Sequence, residues 1–285
     1  MSGILALVKS RLSVLAYLSA FDATLLVATS FKVSFIILLL STVSVYSISL
    51  ANYTLSDLMD VEEDKLNNPG RPLASGIVPK KDALAFIIFL LLLSFLTGFL
   101  INLEFDIFLT VSLIAASIYS APRIRAKSRW YLKLLIAALG AFIAPFTVIS
   151  ITGFNIDVTL MSAIFMLWGL FTLNIGDLMD YEGDKKSGIL SFAVIFGKER
   201  AVSFLKLLLI VQLISELLLL LNLNIFNVAY LSFVIYIFYY FFIKISEFRD
   251  TVEHRALAKE LKKMTRISMI VLQVVTLSFL IQNAF

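Results

Sequence analysis

The 285-residue chain contains no cysteine. That excludes disulfides, zinc–thiolate sites, iron–sulfur clusters and thiol catalysis. It has one histidine, His254, so a multi-histidine metal site or a haem held by two histidines cannot be assembled. Charged residues make up only 15% of the chain, where a soluble domain carries about 25%. With 5 prolines and 11 glycines it is neither collagen-like nor a low-complexity linker. Its chemistry must come from carboxylates, lysine, arginine, hydroxyls and amides.

What the chain does have is apolar surface. Sixty per cent of its residues are apolar, more than a soluble fold of this size can hide from water. The apolar residues lie in continuous runs and do not alternate, which favours membrane helices over a membrane barrel. Runs of crossing length fall near 12–30, 34–57, 83–103, 106–121, 132–153, 158–178, 199–221, 224–245 and 266–284. Lys9 and Arg11 precede the first run as in a signal peptide, but no small-residue cleavage site follows, so a retained helix is expected. The expectation is an all-α polytopic membrane protein, nine transmembrane helices bundled around a central cavity.

Charge placement gives the orientation. Of the 24 Lys and Arg residues, only Lys32 falls in the connections 1–2, 3–4, 5–6 and 7–8 or at the C-terminus. The positive-inside rule then puts the N-terminus and the long basic connections in the cytoplasm and the C-terminus outside. The net charge of +4 reads as topology, and no nucleic-acid partner is expected.

A repeat organises the chain. Ser56-Asp57-Leu58-Met59-Asp60-Val61-Glu62-Glu63-Asp64-Lys65 matches Gly176-Asp177-Leu178-Met179-Asp180-Tyr181-Glu182-Gly183-Asp184-Lys185 at seven of ten positions, 120 residues apart. Four spans separate the copies, so both halves share one orientation and the repeat is parallel. One domain over 1–285 is expected, with spans 1–4 in a half at about 1–121, spans 5–8 in a half at about 122–245, and a ninth span.

Each copy reads D-x-x-D-x-x-x-D. On a helix these spacings put Asp57, Asp60 and Asp64 on one face, and Asp177, Asp180 and Asp184 on another. Like charges so close repel unless a cation lies among them. Carboxylates suit hard cations, and Mg²⁺ is commonly held by one or two of them plus phosphate oxygens. Two such stripes face to face are a candidate Mg²⁺–diphosphate site. Cations accompany them. Arg71 lies in the Pro- and Gly-containing loop 67–76, Lys185 and Lys186 follow the second stripe, and Arg123, Arg125 and Lys127 follow Tyr119 between spans four and five. Asp22 and Glu216 lie inside apolar spans, where ionisable groups point to a cavity or pathway. Asp22 is a candidate for the acceptor end of a chamber. His254 falls in the polar stretch 246–265, expected to be a cytoplasmic surface helix.

These motifs resemble those of the UbiA-type intramembrane prenyltransferase superfamily. Asp57, Asp60 and Asp64 with the loop Asn67 to Gly76 look like its first motif. Asp177, Asp180 and Asp184 with Gly188 and Gly197 look like its second, and Tyr119 to Arg129 its basic loop. Ser56 stands where the family has Asn, with Asn52 one turn earlier on a similar face; Ile189 to Phe192 replace a usual Thr-Leu-Pro. The resemblance implies Mg²⁺ held by Asp60, Asp64, Asp180 and Asp184, with Asp57 and Asp177 in the same carboxylate sets. It further implies a polyprenyl diphosphate contacted by Asn52 or Ser56, Arg71, Tyr119 and the other loop cations. Ionisation of the allylic C–O bond in a dry chamber would release diphosphate, and a lipophilic or aromatic acceptor would capture the cation. A secondary transporter is the main rival, but the parallel repeat, the carboxylates at the cytoplasmic helix ends and the adjacent cationic loops argue against it. A CDP-alcohol phosphotransferase would need Asp-Gly-x-x-Ala-Arg after the first aspartates, which is absent. A cyclising member of the superfamily would need no acceptor.

Overall fold

A computed structural model describes residues 3–67, 70–121, 124, 126–223, 228–249 and 254–284. These residues form an all-α membrane protein in which β structure is limited to one isolated parallel bridge, Arg129 to Leu190. In order the helices are α1 Gly3–Ser10, α2 Val14–Ala28, α3 Phe35–Met59, α4 Val61–Asn67, α5 Lys80–Phe99, α6 Leu103–Ser120 and α7 Trp130–Phe146. There follow α8 Ile149–Thr152, α9 Ile156–Met179, α10 Tyr181–Ser187, α11 Phe192–Phe196, α12 Lys198–Asn222, α13 Val228–Ser246 and α14 His254–Ala284.

Six segments are long and apolar enough to cross a membrane: Phe35–Met59, Lys80–Phe99, Leu103–Ser120, Trp130–Thr152, Ile156–Met179 and Lys198–Asn222. The pair α1–α2, bent by 63°, makes a seventh if counted as one broken span. The apolar part of α13, Leu231–Ser246, is shorter. The described residues therefore give six or seven crossings, and the expected nine is not established by them. Two further differences are physical. The first apolar run is preceded by α1, and the chain turns at Arg11 to Ser13. The polar stretch expected as a separate surface helix is instead continuous with the last apolar run, in the single helix α14.

Polar caps close the ends opposite the aspartates. Ser34, Asn102 and Asn155 accept from the backbone N–H of Ile37, Phe105 and Asp157, supplying acceptors that each first turn lacks. The Asn102 amide also donates to the Ser150 carbonyl at 2.8 Å, tying α6 to α8. Pro145 lies in the last turn of α7 and has no N–H to donate, and the helix stops before restarting as α8.

α3 lies along α5, where Ser44 and Ser94 each donate to the other's carbonyl, at 2.8 and 2.9 Å. α9 lies along α7 and α12, and α2 and α14 also touch it. A buried cluster contains Trp168, Phe171, Phe238 and Phe241, with Phe171 and Phe241 edge to face at 5.5 Å. Phe35, Phe89, Leu92 and Leu96 point outward, as lipid-facing residues do. Truncating the core is expected to cost far more than truncating that outer face. Trp168→Ala should lose about 3–5 kcal/mol, and Leu92→Ala under about 0.5 kcal/mol, read from thermal unfolding in detergent micelles.

Candidate active site

The two aspartate motifs fold into one backbone shape. α3 ends at Met59 and α9 at Met179, and the next residues, Asp60 and Asp180, leave the helix with φ, ψ of −99°, 8° and −97°, 6°. Their N–H groups donate to the carbonyls of Ser56 and Gly176, both at 3.0 Å. Asp64 N–H then donates to Asp60 O, and Asp184 N–H to Asp180 O, both at 2.8 Å. The uninterrupted stripe expected from the spacing is thus broken at its middle aspartate. A seven-residue helix, α4 or α10, starts again with its third carboxylate in the first turn.

Side chains from distant segments neutralise the first set. Arg11 donates to both carboxylate oxygens of Asp57, at 2.7 Å from Nε to Oδ2 and through Nη2 to Oδ1. Arg71 bridges Asp57 Oδ1 at 3.0 Å and Asp64 Oδ2 at 2.6 Å. The loop carrying Arg71 is held by Leu73 and Val78, which pack with Leu7, Val61 and Ala83. Lys127, on a 3₁₀ turn anchored by buried Ala126, pairs with Asp60 at 2.8 Å. Glu62 sits outside the set, exposed and held below the ordinary glutamate range by Lys65, with Lys80 adding to the effect.

In the second set, Lys133 of α7 pairs with Asp177. Asp57 and Asp177 are each only 3% exposed, so each needs a counter-charge, which Arg11 and Arg71 give to Asp57 and Lys133 gives to Asp177. Burial holds the Asp184 carboxyl above the ordinary aspartate range, while Lys133 pulls it down. Lys262, on α14, places its ammonium over Gly176. Tyr119 lies within electrostatic reach of Asp60 in one set and of Lys133 and Asp177 in the other. Inward of Arg11, whose guanidinium lies 5.2 Å from the ring centre of Tyr53, Tyr17 packs edge-on against Tyr53 and Phe165.

Other expected site residues are placed elsewhere. Asn52 turns to α6 and donates to Ser112 at 3.2 Å, and its own buried Oδ1 has no hydrogen-bond partner among the described residues. Ser56 is 2.6 Å from Ser120. Lys185 is exposed and lines a surface groove with Tyr181, Glu182 and Lys198. Asp22 accepts from Thr42 at 2.8 Å, between α2 and α3. Arg123, Arg125 and the Lys186 side chain lie outside the described residues. Arg11, Lys133 and Lys262 escaped the sequence reading. Lys133 alone carried a signal, as a cation inside an apolar run.

The donor set is chemically suited to a hard divalent cation, with oxygen ligands and no competing thiol or histidine. Among the described residues no three carboxylates form a ready-made cage. Mg²⁺ characteristically uses few protein ligands and completes its shell with phosphate and water.

Residues 14–267 match the UbiA prenyltransferase family. The chain is 31% identical over 222 residues to digeranylgeranylglyceryl phosphate synthase of Methanosphaera stadtmanae, covering 76% of this chain and 79% of that one. It is 27% identical over 165 residues to a lycopene elongase/hydratase of Corynebacterium glutamicum, covering 54% and 56%. Its fold is similar to that of a UbiA homologue from Archaeoglobus fulgidus solved with GPP and Mg²⁺, with TM-score 0.69, 22% identity, and 97% and 100% of the two chains covered.

The Lys133–Asp177 pair should be indispensable to stability only while both charges are present. Lys133→Met is expected to cost about 3–5 kcal/mol by stranding a buried carboxylate. A Lys133→Met/Asp177→Leu double variant should recover most of that loss in thermal unfolding.

Proposed function

This chain belongs to the UbiA prenyltransferase family and is an intramembrane prenyltransferase, and we propose that it moves a polyprenyl group from an allylic diphosphate to a lipophilic acceptor, releasing diphosphate. The observation that carries this reading is the pair of matching helix breaks at Asp60 and Asp180, each presenting carboxylates beside cations at one end of the bundle. Solved relatives hold GPP or DMAPP together with Mg²⁺. In this chain Asp60, Asp64, Asp180 and Asp184 would hold Mg²⁺, which when bound neutralises the diphosphate and stabilises charge growing on it as it leaves. Asp57 and Asp177 join those carboxylate sets while anchoring Arg11 and Lys133.

The chain's own residues supply the rest. Arg71 and Lys127 are the cations placed to exchange a carboxylate for a phosphate oxygen, with Tyr119 within electrostatic reach of both sets. Tyr17, Tyr53 and Phe165 offer aromatic faces to an allylic cation and keep water from it. The apolar tail of the donor lies among the helices or in the bilayer. Several relatives are named for making digeranylgeranylglyceryl phosphate, which makes a prenylated glyceryl phosphate the first acceptor to test and a carotenoid the second. We read the chain as one domain of two parallel halves, with N-terminus and active site on the cytoplasmic side and C-terminus outside.

Purified protein incubated with Mg²⁺, allylic diphosphates of several lengths and an acceptor panel should yield prenylated product by mass spectrometry. No product with any acceptor, together with ion flux in proteoliposomes, would refute the reading. Asp60→Asn and Asp180→Asn should each abolish turnover while eluting as folded protein; near-normal rates in either would contradict the assigned roles. Chelation with EDTA should stop turnover, and added Mg²⁺ should restore it.

A further inference from the structure

Four described cations at the helix ends are engaged by carboxylates: Arg11 by Asp57, Arg71 by Asp57 and Asp64, Lys127 by Asp60, and Lys133 by Asp177. Lys262 is different. It is half-buried, and no ion pair joins it to a described carboxylate, although Asp180 and Asp177 are near enough to act on it. Its ammonium rests over the backbone of Gly176. A methyl group at that position would lie 3.0 Å from Nζ and 3.7 Å from Cε. Gly176 corresponds in the repeat to Ser56, whose hydroxyl meets Ser120. One helix end is therefore filled by a serine contact, and the other is bare backbone beneath a cation. Glycine inside a helix is less favourable than alanine, and here the missing Cβ is the room the lysine uses.

A cation drawn out of water without a bound anion is costly unless an anion arrives. We propose that Lys262 binds a phosphate group of the prenyl donor, reaching it from the C-terminal helix across Gly176, an assignment that rests on the donor reading above. The ammonium donates charge-assisted hydrogen bonds to non-bridging phosphate oxygens. Lys262 then does in the second half what the loop cations do in the first, and α14 becomes part of the site.

The test compares wild type, Lys262→Met, Lys262→Arg, Gly176→Ala and Lys263→Met, all purified as full chains. Binding of inorganic diphosphate and of geranyl diphosphate, with Mg²⁺, is measured by calorimetry, beside KM, kcat and thermal midpoint. Lys262→Met should weaken both ligands by about ten- to a hundred-fold, the worth of a hydrogen bond to a charged group, and raise KM more than it lowers kcat. Lys262→Arg should recover part of the loss. Gly176→Ala only has to push aside the tip of a flexible side chain. It should keep or raise the thermal midpoint while weakening diphosphate several-fold. Lys263→Met removes the same charge from an exposed neighbour and should leave affinity unchanged. Unchanged diphosphate affinity in Lys262→Met overturns the assignment, as does an equal loss in Lys263→Met. Loss confined to binding of phosphatidylglycerol vesicles would assign the lysine to a lipid headgroup and likewise overturn it. A wild type that binds inorganic diphosphate through Lys262 but transfers no prenyl group refutes the donor reading and upholds the phosphate contact.

Discussion

A carboxylate at the end of an apolar helix, packed away from water, is tolerated only with a cation beside it. Asp57 and Asp177 impose this condition at equivalent places, and much of the arrangement around the site answers it. Arg11 must reach Asp57, so the chain turns sharply between α1 and α2. α7 must bring Lys133 alongside the end of α9. The loop after α4 is folded back by Leu73 and Val78 so that Arg71 spans two aspartates. Hydrophobic burial supplies the bundle, but the electrostatic demand of these two residues decides which helices meet at its end.

The helices themselves were largely legible. Apolar runs at 34–57, 158–178 and 199–221 became Phe35–Met59, Ile156–Met179 and Lys198–Asn222, because the sequence of a membrane helix reports its own solvent. The α1–α2 bend was not legible. No proline or glycine marks residues 11–13; the turn goes with a contact 46 residues away. The union of the polar stretch with the last span was hidden for a different reason. A change from polar to apolar composition looks like a boundary, yet it is also what one helix shows on leaving the membrane.

Within the site the aspartates were legible because they repeat. Their partners were less so. Lys127 and Arg71 lie in loops where a cluster of cations or a Pro-Gly pair draws notice. Lys133 is one charge in an apolar run and Lys262 one among many in a basic stretch, and neither position reveals which carboxylate it faces. The break at Asp60 and Asp180 was also invisible, since the spacing of the aspartates is compatible with an unbroken helix. Only the packing of a second short helix against each end displays it.

Those breaks also fix a field that belongs to the backbone. Because α3 and α9 both stop at the aspartates, each brings to them the negative pole of a macrodipole equal to roughly half a charge. Two such poles add to the six carboxylates before any side chain moves. The bundle thus carries a standing preference for positive charge at this end, written into peptide orientation and beyond the reach of any single side-chain substitution.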